Sequence, residues 1–202
     1  MIVKLTCPIT YDANDVAHVT TLSNPINQHW NKPSTRTKTL KAKIRQLLDA
    51  YQSHCAYCGL ELGGTSAGAI EHIAPKGRNR HPEFTFEAEN LVLACDFCNG
   101  SKKKFQKETI AVKNIIYNQC HFLIVHPYYD IPDNHYSWVD NVSRIVIQSS
   151  TPKATASIKM FELDSPKMTK FRAMQFNSYV TLNNLTLDRV TENQLKTALA
   201  YK

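Results

Sequence analysis

Two short cysteine motifs, CAYC at 55–58 and CDFC at 95–98, dominate the sequence and constrain its fold. Two Cys-x-x-Cys pairs can close a tetrahedral zinc site, with each thiolate about 2.3 Å from the metal. The 36 residues between the pairs exceed the usual separation in a zinc ribbon. The inserted segment must therefore be a folded element whose ends the metal holds together. A four-thiolate shell leaves no open position for water, so we predict a structural zinc. Its ligands are Cys55, Cys58, Cys95 and Cys98.

Other interpretations of the cysteines stay open. A redox dithiol needs a thioredoxin-like βαβ context, which the sequence does not indicate, and two accidental pairs are the plainest alternative. A disulfide framework is not needed in a chain of 202 residues with 43% hydrophobic content. The two remaining cysteines, Cys7 and Cys120, are predicted to be buried and inert.

Polar residues that could bind a metal or transfer a proton lie between and just after the cysteine pairs. Glu71 and His72 are adjacent, Asn90 precedes a short apolar run, and Asn99 directly follows the last cysteine. A carboxylate beside a histidine supplies a hard oxygen ligand and a base that titrates near neutrality, as metal-assisted phosphodiester hydrolysis requires. Taken alone, such a pair has a plain alternative, because an isolated histidine is more often structural.

The complete pattern over residues 55–104 resembles the HNH endonuclease family and its ββα-metal fold. The resemblance implies that His72 is the general base that takes a proton from the attacking water. It also implies that Glu71 and Asn99 hold one catalytic Mg²⁺ or Mn²⁺. Asn90 would hydrogen-bond across the intervening loop and fix the geometry of His72. The family more often has Asp at the position of Glu71, and here Asn99 replaces a histidine.

Three sequence segments, two within this pattern and one after it, are similar to the small HNH nucleases of Septu-type anti-phage systems, including retron-associated ones. In those systems the nuclease PtuB accompanies the ATPase PtuA. The segments are IEHIAPKG at 70–77, ENLVLACDFCNGSKK at 89–103 and FLIVHPYYDIPDNH at 122–135. This similarity implies a nucleic acid substrate, either DNA or RNA, including tRNA. It also implies gating by an ATPase partner and, in retron-associated members, a reverse transcriptase with its DNA.

Charge is distributed unevenly along a chain with a net charge of +7. Residues 51–100 carry three Lys or Arg against six Asp or Glu, whereas the segments on either side are basic. This pattern fits a site that holds divalent cations among surroundings that contact phosphates, although ordinary surface charge also explains the flanks. The lysines predicted to meet substrate phosphates are Lys76, Lys102, Lys103 and Lys104, and a solvated helix face is the alternative for the last three.

The other histidines receive a structural interpretation by default. His81, in the central loop, is the next candidate for the base if His72 does not serve. His126 is the one to test if the family resemblance proves close. The remaining ones considered are His54, His121 and His135.

Hydrophobic periodicity predicts an N-terminal helix and a helical C-terminal lobe. The cysteine motifs and the HNH resemblance imply a zinc-bound ββα core between them, so the expected fold class is α+β. The expected elements are an irregular arm over 1–33 with a short strand at Ile2–Leu5, a helix at Thr37–Tyr51, strands at His121–His126 and Arg144–Gln148, and two or three helices after Ala154. The predicted division is 1–53, 54–118 and 119–202. Since the sequence has neither a secretory signal nor a long apolar run, we expect a cytoplasmic protein without a membrane segment.

Two rival functions remain. One is a zinc-stabilised nucleic-acid-binding or adaptor module with a dead HNH site, against which the intact His72, Glu71 and Asn99 argue. The other is a stand-alone homing or restriction enzyme, which usually carries its own base-reading element. Neither flank shows a recognition motif, which favours targeting by a partner.

Overall fold

The computed structural model describes residues 1–63, 67–99, 104, 106–184, 191, 193, 194 and 197. Its helices are α1 (Ala13–Thr20), α2 (Asn27–Asn31), α3 (Thr35–Tyr51), α4 (Asp96–Asn99), α5 (Pro152–Phe161) and α6 (Pro166–Asn184). Its strands are β1 (Ala69–His72), β2 (Leu91–Ala94), β3 (Ile110–Val112), β4 (His121–Phe122), β5 (Tyr136–Trp138) and β6 (Ile147–Ser149). The predicted α+β class, with helices at both ends of the chain, is confirmed.

Strands β1 and β2 and helix α4 follow one another in space as a ββα unit. The two strands are antiparallel, with Glu71 opposite Val92 and His72 opposite Leu91. All four residues of β2 are buried, and alternate residues face two different hydrophobic clusters. Leu91 and Leu93 pack with the N-terminal helices, whereas Val92 and Ala94 pack with the main core. The ββα unit therefore lies between two layers of the protein.

The N-terminal 33 residues are more regular than expected. Helix α1 begins with a capping box, in which the Asp12 carboxylate accepts from the Asp15 amide and the Asp15 carboxylate accepts from the Asp12 amide. These reciprocal bonds satisfy free amides at the helix start, and this local signal was missed. In the described segment 1–63, Ile2–Leu5 is not a strand. The predicted helix α3 is present and begins two residues early, after the Ser34 cap.

Two predicted strands are shorter than their apolar runs. In the segment His121–His126, the strand covers only His121–Phe122. The Leu123 amide still bonds to the Thr109 carbonyl, but two later amides bond to side chains. The amides of Val125 and His126 bond to Ser157 Oγ and Asp130 Oδ2, respectively. Strand β6 begins only at Ile147, since Arg144 has a φ of 50° and ends a turn. Apolar character indicated burial here, but side-chain hydrogen bonds determined the backbone conformation.

The main hydrophobic core takes residues from widely separated parts of the chain, including Ile2, Tyr57, Ile124 and Phe161. The division at 53/54 and 118/119 stays a prediction. Cys120 is buried as expected, whereas the prediction for Cys7 was wrong because this thiol is exposed. Among the described residues, no helix combines the length and apolar character needed to cross a membrane.

Candidate active site and metal centre

The four cysteines of the two motifs converge in the core. Cys55 and Cys58 lie in a tight turn after α3, and Cys95 and Cys98 lie at the start of α4. The first turn closes through bonds from the Cys55 amide to Leu60 and from the Gly59 amide to Cys55. Gly59 has a φ of 70°, and a Cβ there would collide with the Met1 backbone, so this turn requires glycine.

The positions of the four sulfur atoms fit one tetrahedral zinc ion. All four lie within 4.8 Å of one another, and the Sγ atoms of Cys58 and Cys95 are 3.6 Å apart. A tetrahedral zinc with bonds of about 2.3 Å places its sulfur ligands roughly 3.8 Å apart. Burial raises the pKa of Cys55, but hydrogen bonds from the other three thiols outweigh this effect and lower it well below its ordinary value. These buried residues are suited to a structural zinc.

The cysteine cluster also positions Asn99, the candidate ligand at the end of α4. The amides of Cys98 and Asn99 both donate to the Cys95 carbonyl at 2.9 Å. Helix α4 packs against β1, which carries Glu71 and His72. A metal bound by Cys95 and Cys98 would therefore fix the backbone of Asn99 relative to that strand.

Glu71 is buried and paired with a lysine. Lys104 is fully buried, at 0% exposure, and its Nζ donates to Glu71 Oε1 at 2.5 Å and also to the His72 carbonyl. A buried carboxylate needs such a partner, because an uncompensated charge is costly in the protein interior. The ammonium shows that this carboxylate accepts a cation. A contact between Lys104 and a substrate phosphate would require its release from Glu71.

His72 is held in one tautomer by the protein backbone. Its Nε2 lies 3.0 Å from the Thr85 carbonyl oxygen and must donate to it, so in the neutral ring the lone pair is on Nδ1. The ring also meets Trp30 edge-on, with centroids 4.5 Å apart. Burial lowers the pKa of His72 well below its ordinary value, and the charges of Lys76 and Lys104 lower it further. A neutral imidazole is the form that accepts a proton from water.

Adjacent residues of a strand point to opposite faces, which gives Glu71 and His72 different surroundings. Glu71 contacts Lys104, whereas His72 contacts Trp30 and the Thr85 carbonyl. One strand therefore holds a carboxylate and an imidazole whose side chains have separate protein partners.

Asn90 holds the loop between β1 and β2 and is fully buried. Its Oδ1 accepts from the Ala74 amide at 2.6 Å and from the Tyr117 hydroxyl at 2.9 Å. Its Nδ2 donates to the Ala74 carbonyl at 3.2 Å and the Phe84 carbonyl at 2.8 Å. This network ties the residues just after β1 to the stretch that carries the Thr85 acceptor of His72.

Lysines surround the two β1 residues. Burial lowers the pKa of Lys76, Glu71 opposes that shift, and the charges of Lys41 and Lys104 add to it. Lys41 also donates to the Trp30 carbonyl at 3.0 Å, with its ammonium 4.7 Å from the Trp30 ring centre. Sequence patterns singled out neither Lys41 nor Trp30, since both lie on N-terminal helices outside the motif. Lys102 and Lys103 lie outside the described residues.

The alternative base, His81, is buried against an acidic partner. Its Nε2 lies 2.7 Å from Glu108 Oε1, which also accepts from the amides of Thr109 and Ile110. His81 therefore contacts a side chain beyond the motif, next to Thr109, whose hydroxyl donates to the carbonyl of Ile73 just after β1.

Residues 55–105 match the family model described as HNH endonuclease. The match includes all four clustered cysteines and the candidate residues Glu71, His72, Asn90 and Asn99. No curated protein matches the chain.

Proposed function

We propose that this chain, which contains an HNH endonuclease domain, cuts nucleic acid with His72 as its general base. The family implies hydrolysis of phosphodiester bonds. The observation that carries the assignment of the base is the bond from His72 Nε2 to the Thr85 carbonyl. This bond leaves Nδ1 as the basic nitrogen of a buried, neutral ring.

In the proposed reaction, a water molecule attacks the phosphorus atom while His72 Nδ1 takes its proton. The bond between phosphorus and the 3′-oxygen breaks, the 3′-oxygen takes a proton from a second water molecule, and the products are a 5′-phosphate and a 3′-hydroxyl. Glu71 and Asn99 would hold Mg²⁺ or Mn²⁺, which supplies positive charge to the phosphate and the leaving oxygen. Lys76, Lys102 and Lys103 would meet neighbouring phosphates, and Asn90 would keep the loop in place.

The test of the base is His72→Ala, compared with His121→Ala on the exposed face of β4. A positioned base contributes a factor of about 10²–10⁴ in rate, so His72→Ala should lose that much cleavage in Mg²⁺ or Mn²⁺. Zinc content and nucleic acid affinity should stay near those of the wild type. His121→Ala should cleave normally. A wild-type cleavage rate in His72→Ala would show that another residue is the base, and His81 would be tested next.

The dead-module alternative is separated by the same assay. It predicts no divalent-dependent cleavage from the wild type, even when a partner is present. A stand-alone restriction-type enzyme instead predicts efficient and sequence-specific cutting by the isolated chain.

We further propose that the nuclease is the effector of a Septu-type or retron-associated defence system and is gated by a PtuA-like ATPase. The support is the similarity of residues 70–77, 89–103 and 122–135 to such nucleases. Purification from the native operon should recover a stable complex with an ATPase, and the isolated chain should cut weakly. Efficient, sequence-specific cutting by the isolated chain at physiological salt would contradict this gating.

A further inference from the structure

Three tyrosine hydroxyls from the region after the HNH motif bond to three consecutive residues where the preceding turn leads into β2. These bonds run from Tyr129 to the Glu89 carboxylate, from Tyr117 to Asn90 Oδ1 and from Tyr128 to the Leu91 carbonyl. The middle bond differs from the others because it ends on a candidate residue of the active site. Tyr117 lies in a short 3-10 turn at Tyr117–Gln119 and is buried.

Hydrogen-bond directions in this region follow from a backbone amide. The Tyr128 amide donates to His126 Nδ1 at 3.2 Å, so His126 Nε2 carries the hydrogen in the neutral ring. Nε2 then donates to the Tyr117 oxygen at 3.1 Å. The Tyr117 hydroxyl is left to donate to Asn90 Oδ1 at 2.9 Å. Burial lowers the pKa of His126 to about 3, so its ring stays neutral above that range.

The same directions continue through Asn90 to His72. Because Asn90 Oδ1 accepts from Ala74 and Tyr117, its Nδ2 is free to donate to the Phe84 carbonyl. Phe84 is bonded to Thr85, whose carbonyl accepts from His72 Nε2. The series of hydrogen bonds that begins at His126 therefore ends one peptide unit from the acceptor that fixes the His72 tautomer.

We propose that Tyr117 and His126 are positioning residues of the nuclease site, which act through Asn90 on the orientation of His72. The inference rests on the proposed role of His72. In each hydrogen bond of the series only one of the two groups can be the donor. The series therefore specifies one side-chain orientation for Asn90. Buried networks that are fully satisfied in this way hold their members rigidly.

Tyr117→Phe tests the proposal, with Tyr128→Phe as its matched control. Each variant keeps the ring and the backbone amide and loses one buried hydroxyl, but the Tyr128 hydroxyl donates to the Leu91 backbone carbonyl and not to a candidate side chain of the site. Small misplacements of catalytic groups can reduce rates by about 10²-fold, so Tyr117→Phe should lower kcat by about tenfold or more with little change in KM. Tyr128→Phe should change kcat by less than about twofold, although both variants should melt at similarly reduced temperatures.

A second readout does not depend on cleavage. Proton exchange of the Asn90 side-chain amide and of the His72 ring N–H, followed by NMR, should be slow in the wild type and in Tyr128→Phe. It should be faster in Tyr117→Phe, because the amide loses its fixed orientation. Unchanged exchange and kcat in Tyr117→Phe would overturn the proposal, as would equal losses in both variants. If the wild type does not cleave at all, the proposed function fails, and the exchange measurement alone decides the positioning role.

His126 gives a graded check of the same series. Gln at this position keeps an acceptor for the Tyr128 amide and a donor toward Tyr117, whereas Leu keeps neither. His126→Gln should therefore retain more kcat than His126→Leu, at similar KM. Equal kcat values in these two variants would show that His126 contributes only by packing against Tyr129, with which it stacks at a centroid distance of 4.0 Å.

Discussion

The cysteine cluster and the Glu71–His72 region lie in the same ββα unit but are built in different ways. The cluster consists of four equivalent ligands from two local turns, and a metal ion alone can hold them together. Glu71 and His72 instead depend on Lys104, Thr85 and Trp30, which come from separate parts of the chain. The comparison shows that the first site depends on spacing in sequence, whereas the second depends on how the whole protein folds.

The largest effect is expected from breaking the cluster with Cys95→Ser. A structural zinc in a small domain contributes about 10–16 kcal/mol of binding free energy, comparable to the whole stability of a protein at about 5–15 kcal/mol. We expect loss of zinc and unfolding of the 55–99 block, measured by elemental analysis and limited proteolysis. Cys7→Ser, at an exposed thiol, is the control and should retain zinc and resist protease. A zinc-free variant with an unchanged melting temperature would contradict the structural role of the metal.

A smaller effect is expected from Lys104→Met, which tests the dependence of Glu71 on a distant partner. Removing one member of a buried ion pair costs about 3–5 kcal/mol, because the other charge stays buried without compensation. The melting temperature should fall in the absence of divalent metal and recover in part with Mg²⁺, which can occupy the carboxylate. The control is Lys113→Met, whose lysine is 52% exposed and pairs with Glu83. Such an exposed pair should contribute about 0–1 kcal/mol.

If Lys104→Met melts like the wild type without metal, Glu71 does not depend on this lysine for compensation. The contrast between the two regions would then be weaker, because Glu71 would be stable in its buried position without the contact from Lys104.

The difference between the regions also explains what the sequence could predict. The four clustered cysteines, the two strands and the helix that follows them are local in sequence, because x₂ spacings and short apolar runs specify them. The approach of Trp30 to His72 and of Tyr117 to Asn90 could not be predicted in this way. Those contacts arise from packing of helices and turns far along the chain, and a motif contains no information about them.

Lys104 shows that the sequence also could not predict the burial of a charged side chain. In sequence it is the third member of a lysine run, a pattern that equally suits phosphate contact or a solvated face. In the structure its ammonium is directed inward to Glu71. Burial of a lysine depends on a partner carboxylate. That partner lies in β1 and is separated from the run by the loop, β2 and α4.

The smallest effect is expected from Asn99→Ala, which separates the two regions at the point where they meet. The residue follows Cys98 directly, so Cys95 and Cys98 should keep both zinc and the backbone of α4 in place. Loss of its amide oxygen would remove one of few protein ligands to a metal otherwise held by water and phosphate. The Mg²⁺ concentration that gives half-maximal cleavage should therefore rise by about tenfold or more, with zinc content unchanged. Glu71→Ala should shift the same midpoint but also destabilise the fold, because it leaves Lys104 buried without its carboxylate. An unchanged midpoint in Asn99→Ala would remove this residue from the proposed metal site, and loss of zinc would show that the two regions cannot be separated.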